Sequence, residues 1–362
     1  MKKISYIELS SIFLTILITF NCGINLYILK KDASINSWIS IIISYILSII
    51  PLLLTMFIAN YKKELNLFEK NKNLFGDFIG ELINIFISII LFVIAITILY
   101  NIVSFITTQF LYRTPIIISA IILLSLSVYC STKEINVIAH ISLILVVINI
   151  IMFILSNLSL INEIKIDNLL PILKTDQNKL LLSSLKITII NTLPSLTILI
   201  IPKEKITNEK KYNKWLIIAY LVAFFITLVT IINTIGILSI YLTNTFEYSE
   251  YMVLKKVKLF GFLERTENII SMSYITHSYI YLTLILYTIS KNIKQKSNKT
   301  FKIANTIVAI LIILTIKQIF TNITIFNNFI NGPFIYITSL LLAVYIIITI
   351  KIIFTKRKVN QR

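Results

Sequence analysis

Two strings interrupt the apolar runs of this chain with groups that form hydrogen bonds. ITFNCGINL, Ile18 to Leu26, places Asn21, Gly23 and Asn25 inside an otherwise apolar stretch. KITIINTLPSLTILIIP, Lys186 to Pro202, does the same with Asn191, Thr192, Pro194 and Ser195. Glycine weakens a helix by about 1 kcal/mol, asparagine competes for backbone hydrogen bonds, and proline has no N–H to give. A helix broken there exposes amide N–H groups and a positive dipole end, which suit a carboxylate, and carbonyl ends that could meet an ammonium. The chemistry is reversible binding. Packing or a simple kink is the plain alternative, because Gly and Pro are common in membrane helices. The chain carries no Ser–His–Asp set, carboxylate pair or metal-ligand spacing, and its 6 glycines leave little for a phosphate-cradling loop. The residues therefore point to a binding protein without a cofactor rather than an enzyme.

The elements that hold these strings are set by hydropathy. Of 362 residues 57% are hydrophobic and 14% charged, against about a quarter charged in soluble domains. The apolar residues form continuous blocks long enough for a hydrocarbon core of roughly 30 Å, which excludes the period-two pattern of a β-barrel. Ten helical spans are expected: Ile7–Leu29, Trp38–Ala59, Phe78–Phe105, Pro115–Tyr129, Val137–Leu158, Leu182–Ile201, Trp215–Leu242, Ile269–Ile289, Ile303–Phe320 and Phe334–Phe354. The net charge of +18 lies in short connections between spans, where lysines orient a membrane protein; nucleic acid is not implied. With both termini cytoplasmic, 22 of the 34 basic residues fall on the inner side. The long connections 159–181 and 243–268 then lie outside. MKKISYIELSSIFLTILITFNCG resembles a lipoprotein signal ending at Cys22, but Thr19, Phe20 and Asn21 are the wrong residues before a cleavage site, and the apolar pattern resumes after it. It reads as a retained first span, interrupted in its middle.

The two interrupted spans are the first and sixth of ten. Broken backbone at membrane depth must be buried in protein or line a cavity, and this paired placement is the pattern of inverted-repeat transporters, whose site lies at the bilayer midplane. One polytopic membrane domain is expected, with a first repeat over residues 7–158, a linker over 159–181 and a second repeat over 182–354. Other residues are weaker candidates. His277 could carry a proton or simply bond within the bundle, and His140 likewise. Lys186 could meet a carboxylate or snorkel to the interface. Glu81 fits the headgroup boundary, and Tyr100, Asn101 and Ser104 give span three a polar face.

NLLPIL after the fifth span and EYSEYMVLKKVKLFGFLERTE after the seventh carry a resemblance. Together with the order of spans they resemble the B subunit of GerA-type spore-germination nutrient receptors, the endospore germination permease family. Phe262, Leu263, Glu264, Arg265 and Glu267 match its F-L-[EQ]-R-[IL]-[DE] signature, while Thr266 departs from it. The resemblance implies the LeuT/APC-like fold of the amino-acid/polyamine/organocation superfamily, with helices 1 and 6 broken at Gly23 and Pro194. It implies a germinant site built from Thr19, Phe20, Asn21, Cys22 and Gly23 with Asn191, Thr192 and Leu193. It also implies an A-type membrane subunit and a C-type lipoprotein as partners in the spore inner membrane, with a small amino acid as ligand. Three functions are open: a receptor that signals by changing conformation, a secondary amino-acid transporter working by alternating access, or, as the weakest, a channel-like component passing water or ions during germination. The residues 251–260 are expected to form an amphipathic surface helix that caps the bundle.

Overall fold

The computed structural model describes residues 3–173, 175–255, 267–293 and 298–360. Fourteen α-helices are named here. They are α1 (Tyr6–Ile18), α2 (Ile24–Asp32), α3 (Ser37–Asn60), α4 (Leu67–Phe75), α5 (Asp77–Gln109), α6 (Ile116–Ser131) and α7 (Ile135–Leu160). The second half holds α8 (Gln177–Ile198), α9 (Tyr212–Thr245), α10 (Ser249–Lys255), α11 (Glu267–Asn292), α12 (Asn298–Ile319), α13 (Ile323–Phe329) and α14 (Ile335–Asn360). Seven described helices are long and apolar enough to cross a membrane, and eight spans result when the bent pair α1–α2 counts as one. The two further spans expected from sequence fall on α6, which is only 16 residues long, and on α11, which is studded with Ser, Thr and Tyr.

Local signals set the boundaries. Ser5 and Glu8 form a capping box at the start of α1, and Asn66 and Glu69 form another at α4, satisfying amides that a helix start leaves free. The α4 helix lies in what the hydropathy pattern shows only as a connection. Its Lys70 is buried and donates from Nζ to the carbonyls of Ile58 (2.8 Å) and Ala59 (3.2 Å), closing the carbonyl end of α3. Gly80 lets α5 approach the backbone of Lys72, where an added Cβ would come within 2.5 Å. One face of the bundle is tied by a bridge between Ile4 and Ile206, and by Leu67 donating to the Leu199 carbonyl at 3.1 Å.

Helix pairs meet through small polar residues, the expected solution where no water drives association. Ser40, Ser44 and Ser48 recur every four residues on α3, so they share one face. Opposite them on α8, Ser183 bonds Ser40 at 2.8 Å, Thr188 donates to the Ser44 carbonyl at 3.3 Å, and Asn191 donates to Ser48 at 3.4 Å. The α8 helix corrects one expectation: it continues through Pro194 to Ile198 with no break at the proline. Pro194 removes only its own hydrogen bond and sits within the last turns of the helix, so little helix remains beyond it to split off.

Lys186 corrects another. It does not snorkel; its ammonium is nearly buried and donates to Asp32 (2.6 Å) and Asn331 (2.7 Å), tying α8 to the end of α2 and to the π-helical turn Ile330–Phe334. Removing one member of a buried ion pair strands the other charge. Lys186→Met should therefore lower the unfolding free energy by about 3 kcal/mol, read as a fall in thermal midpoint in detergent. The double variant Lys186→Met/Asp32→Asn should recover most of that loss.

Candidate functional site

The first span breaks as its residues predict. After α1 the chain makes a 3₁₀ turn over Thr19–Asn21, Cys22 is extended, and Gly23 takes φ 72°, ψ −45°. Ile24 N–H donates to the Cys22 carbonyl at 2.8 Å, so Gly23 is the centre of a γ-turn of the strained, positive-φ kind. The two half-helices diverge by 48°. Glycine is required twice over here. A side chain at this φ is disfavoured, and a Cβ would lie 2.9 Å from Tyr248 and 3.0 Å from the Asn101 side-chain oxygen.

The groups freed by the break are taken up from neighbouring elements. Asn101 of α5 donates from Nδ2 to the Cys22 carbonyl at 2.8 Å, so the polar face of span three does border the break. The Gly23 N–H donates to Glu250 Oε1 at 2.5 Å. Glu250 belongs to α10, a seven-residue helix between α9 and α11. Where the expected surface helix is described, it is largely buried instead: Glu250 is 3% exposed, and Tyr248, Tyr251, Val253 and Leu254 are each 1% exposed. The part of that expected helix after Lys255, and the signature residues Phe262 to Thr266, lie outside the described residues. Phe105 of α5 sits at the centre of edge-on contacts with Tyr248, Tyr251 and Tyr274 at 5.0, 5.2 and 5.8 Å. Tyr248 also donates to the Asn101 carbonyl at 3.1 Å.

The other candidates of span one radiate from the break. Thr19 bonds the carbonyls of Thr15 (2.8 Å) and His277 (3.4 Å). Phe20 meets Tyr281 edge-on and lies against Phe334. Asn21 donates to Thr227 of α9 at 2.9 Å and accepts from Asn25 at 2.9 Å. The side chain of Cys22 is buried. Asn21 alone of the five lines a cavity of ≈ 50 Å³, whose polar wall also holds Asn149, Thr230, Ser273, Tyr274 and His277. That is room for only a few waters, well below the roughly 300 Å³ or more of a small-molecule pocket.

The span-six candidates are not brought to this cavity. Asn191 faces Ser48 on α3, Thr192 donates back to the Thr188 carbonyl at 2.9 Å, and Leu193 is fully buried in the core. His277 Nε2 lies 2.9 Å from the Asn149 amide, whose oxygen accepts from Ser273 at 3.1 Å. An amide donor there calls for an unprotonated acceptor nitrogen, so His277 acts as a hydrogen-bonding member of the bundle. His140 instead is exposed and pairs with Glu8 at 3.1 Å. Glu81 pairs with Lys72. Glu250 is the residue that sequence reasoning missed; the flanking Tyr248, Tyr251, Val253 and Leu254 make its helix too apolar for a solvated surface, and that was its one signal.

A membrane bundle that is helical throughout its long described elements, with a first span broken at Gly23, is the arrangement of the secondary-transporter fold. In agreement, the chain is similar over 92% of its length to 78% of a solved Na+-coupled sialic acid symporter in a substrate-bound outward-open state, at 14% identity and a TM-score of 0.51. Residues 3–330 match the family model of the spore germination proteins, and the chain belongs to that family. No curated protein sequence matches it. It is a germination-related, multi-pass membrane permease and not an enzyme.

Glu250 also gives the site a pH dependence. Burial, opposed by hydrogen bonds from its own and the Gly23 N–H groups and by Lys30, and reinforced by Glu247, raises its carboxyl to about 7. Among the described residues, Cys22 of the break, Tyr248 and Tyr274 are the other titratable groups that face it. The docked carboxyl binds its proton more tightly than a released one near 4.5, so docking is favoured at low pH and weakens as pH rises from about 4.5 to about 7. Amide exchange across 249–255, corrected for intrinsic chemistry, should quicken by up to about tenfold per pH unit in that window. In Glu250→Gln this added dependence should vanish.

Proposed function

We propose that the chain is the germinant-sensing subunit of a spore nutrient receptor. It would bind a small amino acid at the break in span one and signal by a change of conformation to an A-type membrane subunit and a C-type lipoprotein. The observation that carries this reading is the freed Gly23 amide, held by a carboxylate from a connecting segment: the binding group of the break and the helix between α9 and α11 are joined by one hydrogen bond. The cavity beside it is too small for an amino acid as it stands, which supports a ligand that acts by rearranging the protein. A ligand does so only through its differential affinity for two conformations. Thr19 to Gly23 are the contact residues of this proposal, with Asn191, Thr192 and Leu193 of α8, all buried, as its further contact residues.

The proposed setting is the spore inner membrane with both termini cytoplasmic. The face that carries Ile4 also gathers Lys63, Lys203 and Lys205, as a cytoplasmic face should. In liposomes the purified chain should bind amino acids from a radiolabelled panel saturably and show no concentrative uptake. Accumulation driven by an imposed sodium or proton gradient would establish a transporter instead. In spores, Gly23→Leu should abolish the response to amino-acid germinants, and Asn21→Ala, which leaves the turn at Gly23 intact, should weaken it at normal protein levels; an unchanged response would place the site elsewhere.

A further inference from the structure

We propose that Glu250 is a tethered stand-in for the ligand's carboxylate: it occupies the Gly23 amide in the resting protein, and an incoming carboxylate must displace it, releasing α10. This rests on the receptor reading and adds to it the resting occupant of the site and the means of coupling. Three observations support it. The carboxylate comes from a segment with no backbone continuity to the break, since α10 follows α9 in the chain and reaches 227 residues back to Gly23. Its attachment is incomplete, because Glu250 Oε2 is buried without a hydrogen-bond partner. Once ionised, a buried carboxylate with one satisfied oxygen is costly to keep in place, so above about pH 7 it can yield to a ligand that brings its own charge balance. Tyr274, finally, belongs both to the cavity wall beside Asn21 and to the aromatic cluster around Phe105 that holds Tyr248 and Tyr251. Displacing Glu250 therefore loosens the packing of α10 and widens the cavity through the same ring.

A competing internal carboxylate reduces apparent ligand affinity by the fraction of time it leaves the amide free. If the docked state is populated at nine-tenths or more, its removal should tighten carboxylate binding about tenfold or more. The experiment uses the full chain in lipid nanodiscs as wild type, Glu250→Ala and Glu250→Gln, with sodium acetate as probe and acetamide at matched ionic strength as control. Acetate should raise the thermal midpoint of Glu250→Ala and slow amide exchange at residues 22–25, at concentrations about tenfold below those needed in the wild type. Acetamide should do neither. Glu250→Gln keeps the shape and a neutral acceptor, so it should fold and respond between the two. An acetate response of Glu250→Ala no larger than that to acetamide overturns the proposal; so does a Glu250→Gln response identical to wild type where the alanine variant fails to fold. Saturable amino-acid binding in liposomes without acetate rescue would remove the stand-in and leave the receptor reading intact. Acetate rescue in a chain that accumulates amino acids would do the reverse.

Discussion

A backbone N–H that loses its helical acceptor inside a hydrocarbon layer has no water to turn to. The γ-turn at Gly23 creates such a group in the middle of span one, and much of the surrounding structure is arranged to answer it. The amide itself is met by Glu250, the neighbouring Cys22 carbonyl by Asn101, and Asn101 in turn by Tyr248 through its own carbonyl. Those three residues come from α5 and from the segment containing α10. The break in one helix thus fixes the position of elements distant from it in sequence.

The same constraint explains why the bundle uses polar contacts so freely. Between helices in lipid, packing and hydrogen bonds replace the hydrophobic effect. The serine stripe of α3 against α8, the Asn21–Thr227 bond between the first span and α9, and the Lys186 contacts to Asp32 and Asn331 each join one helix to another. Because Lys186 ends on the last residue of α2, the far end of the broken span is anchored while its near end is held by Asn101 and Glu250. Movement at the break therefore has one weak point. Anchors made by core side chains of long helices are backed by whole-span packing, whereas Glu250 stands on a helix of seven residues.

What the sequence made legible follows from the kind of information each feature carries. Gly23 was readable because one residue type answers a backbone demand, and the break lies where the string ITFNCGINL put it. Span positions were readable because hydropathy is summed over about twenty residues and tolerates local error. Pro194 misled: a proline removes one hydrogen bond wherever it stands, and only the length of helix remaining beyond it decides whether the helix splits. The partners of Asn191 and Lys186 were hidden because both are pairings across 143 and 154 residues of chain, which no local pattern encodes. Glu250 was hidden for a related reason. Its charge placed it on the surface, and only the burial of its apolar neighbours reveals that it points inward.

That misplacement has a physical content. A proton-coupled carrier is expected to keep an acid within a span, and the spans near the break carry none in a central position. The structure supplies a carboxylate to the same place from outside the spans, on a short helix between α9 and α11. An acid built into a span would be held by the bundle whatever the ligand does. An acid on a short connecting helix can leave, and when it leaves the helix goes with it. Under the proposed stand-in role, delivery from a connecting helix would convert occupancy of a backbone amide into displacement of that helix, a coupling that a carboxylate fixed within a span does not offer.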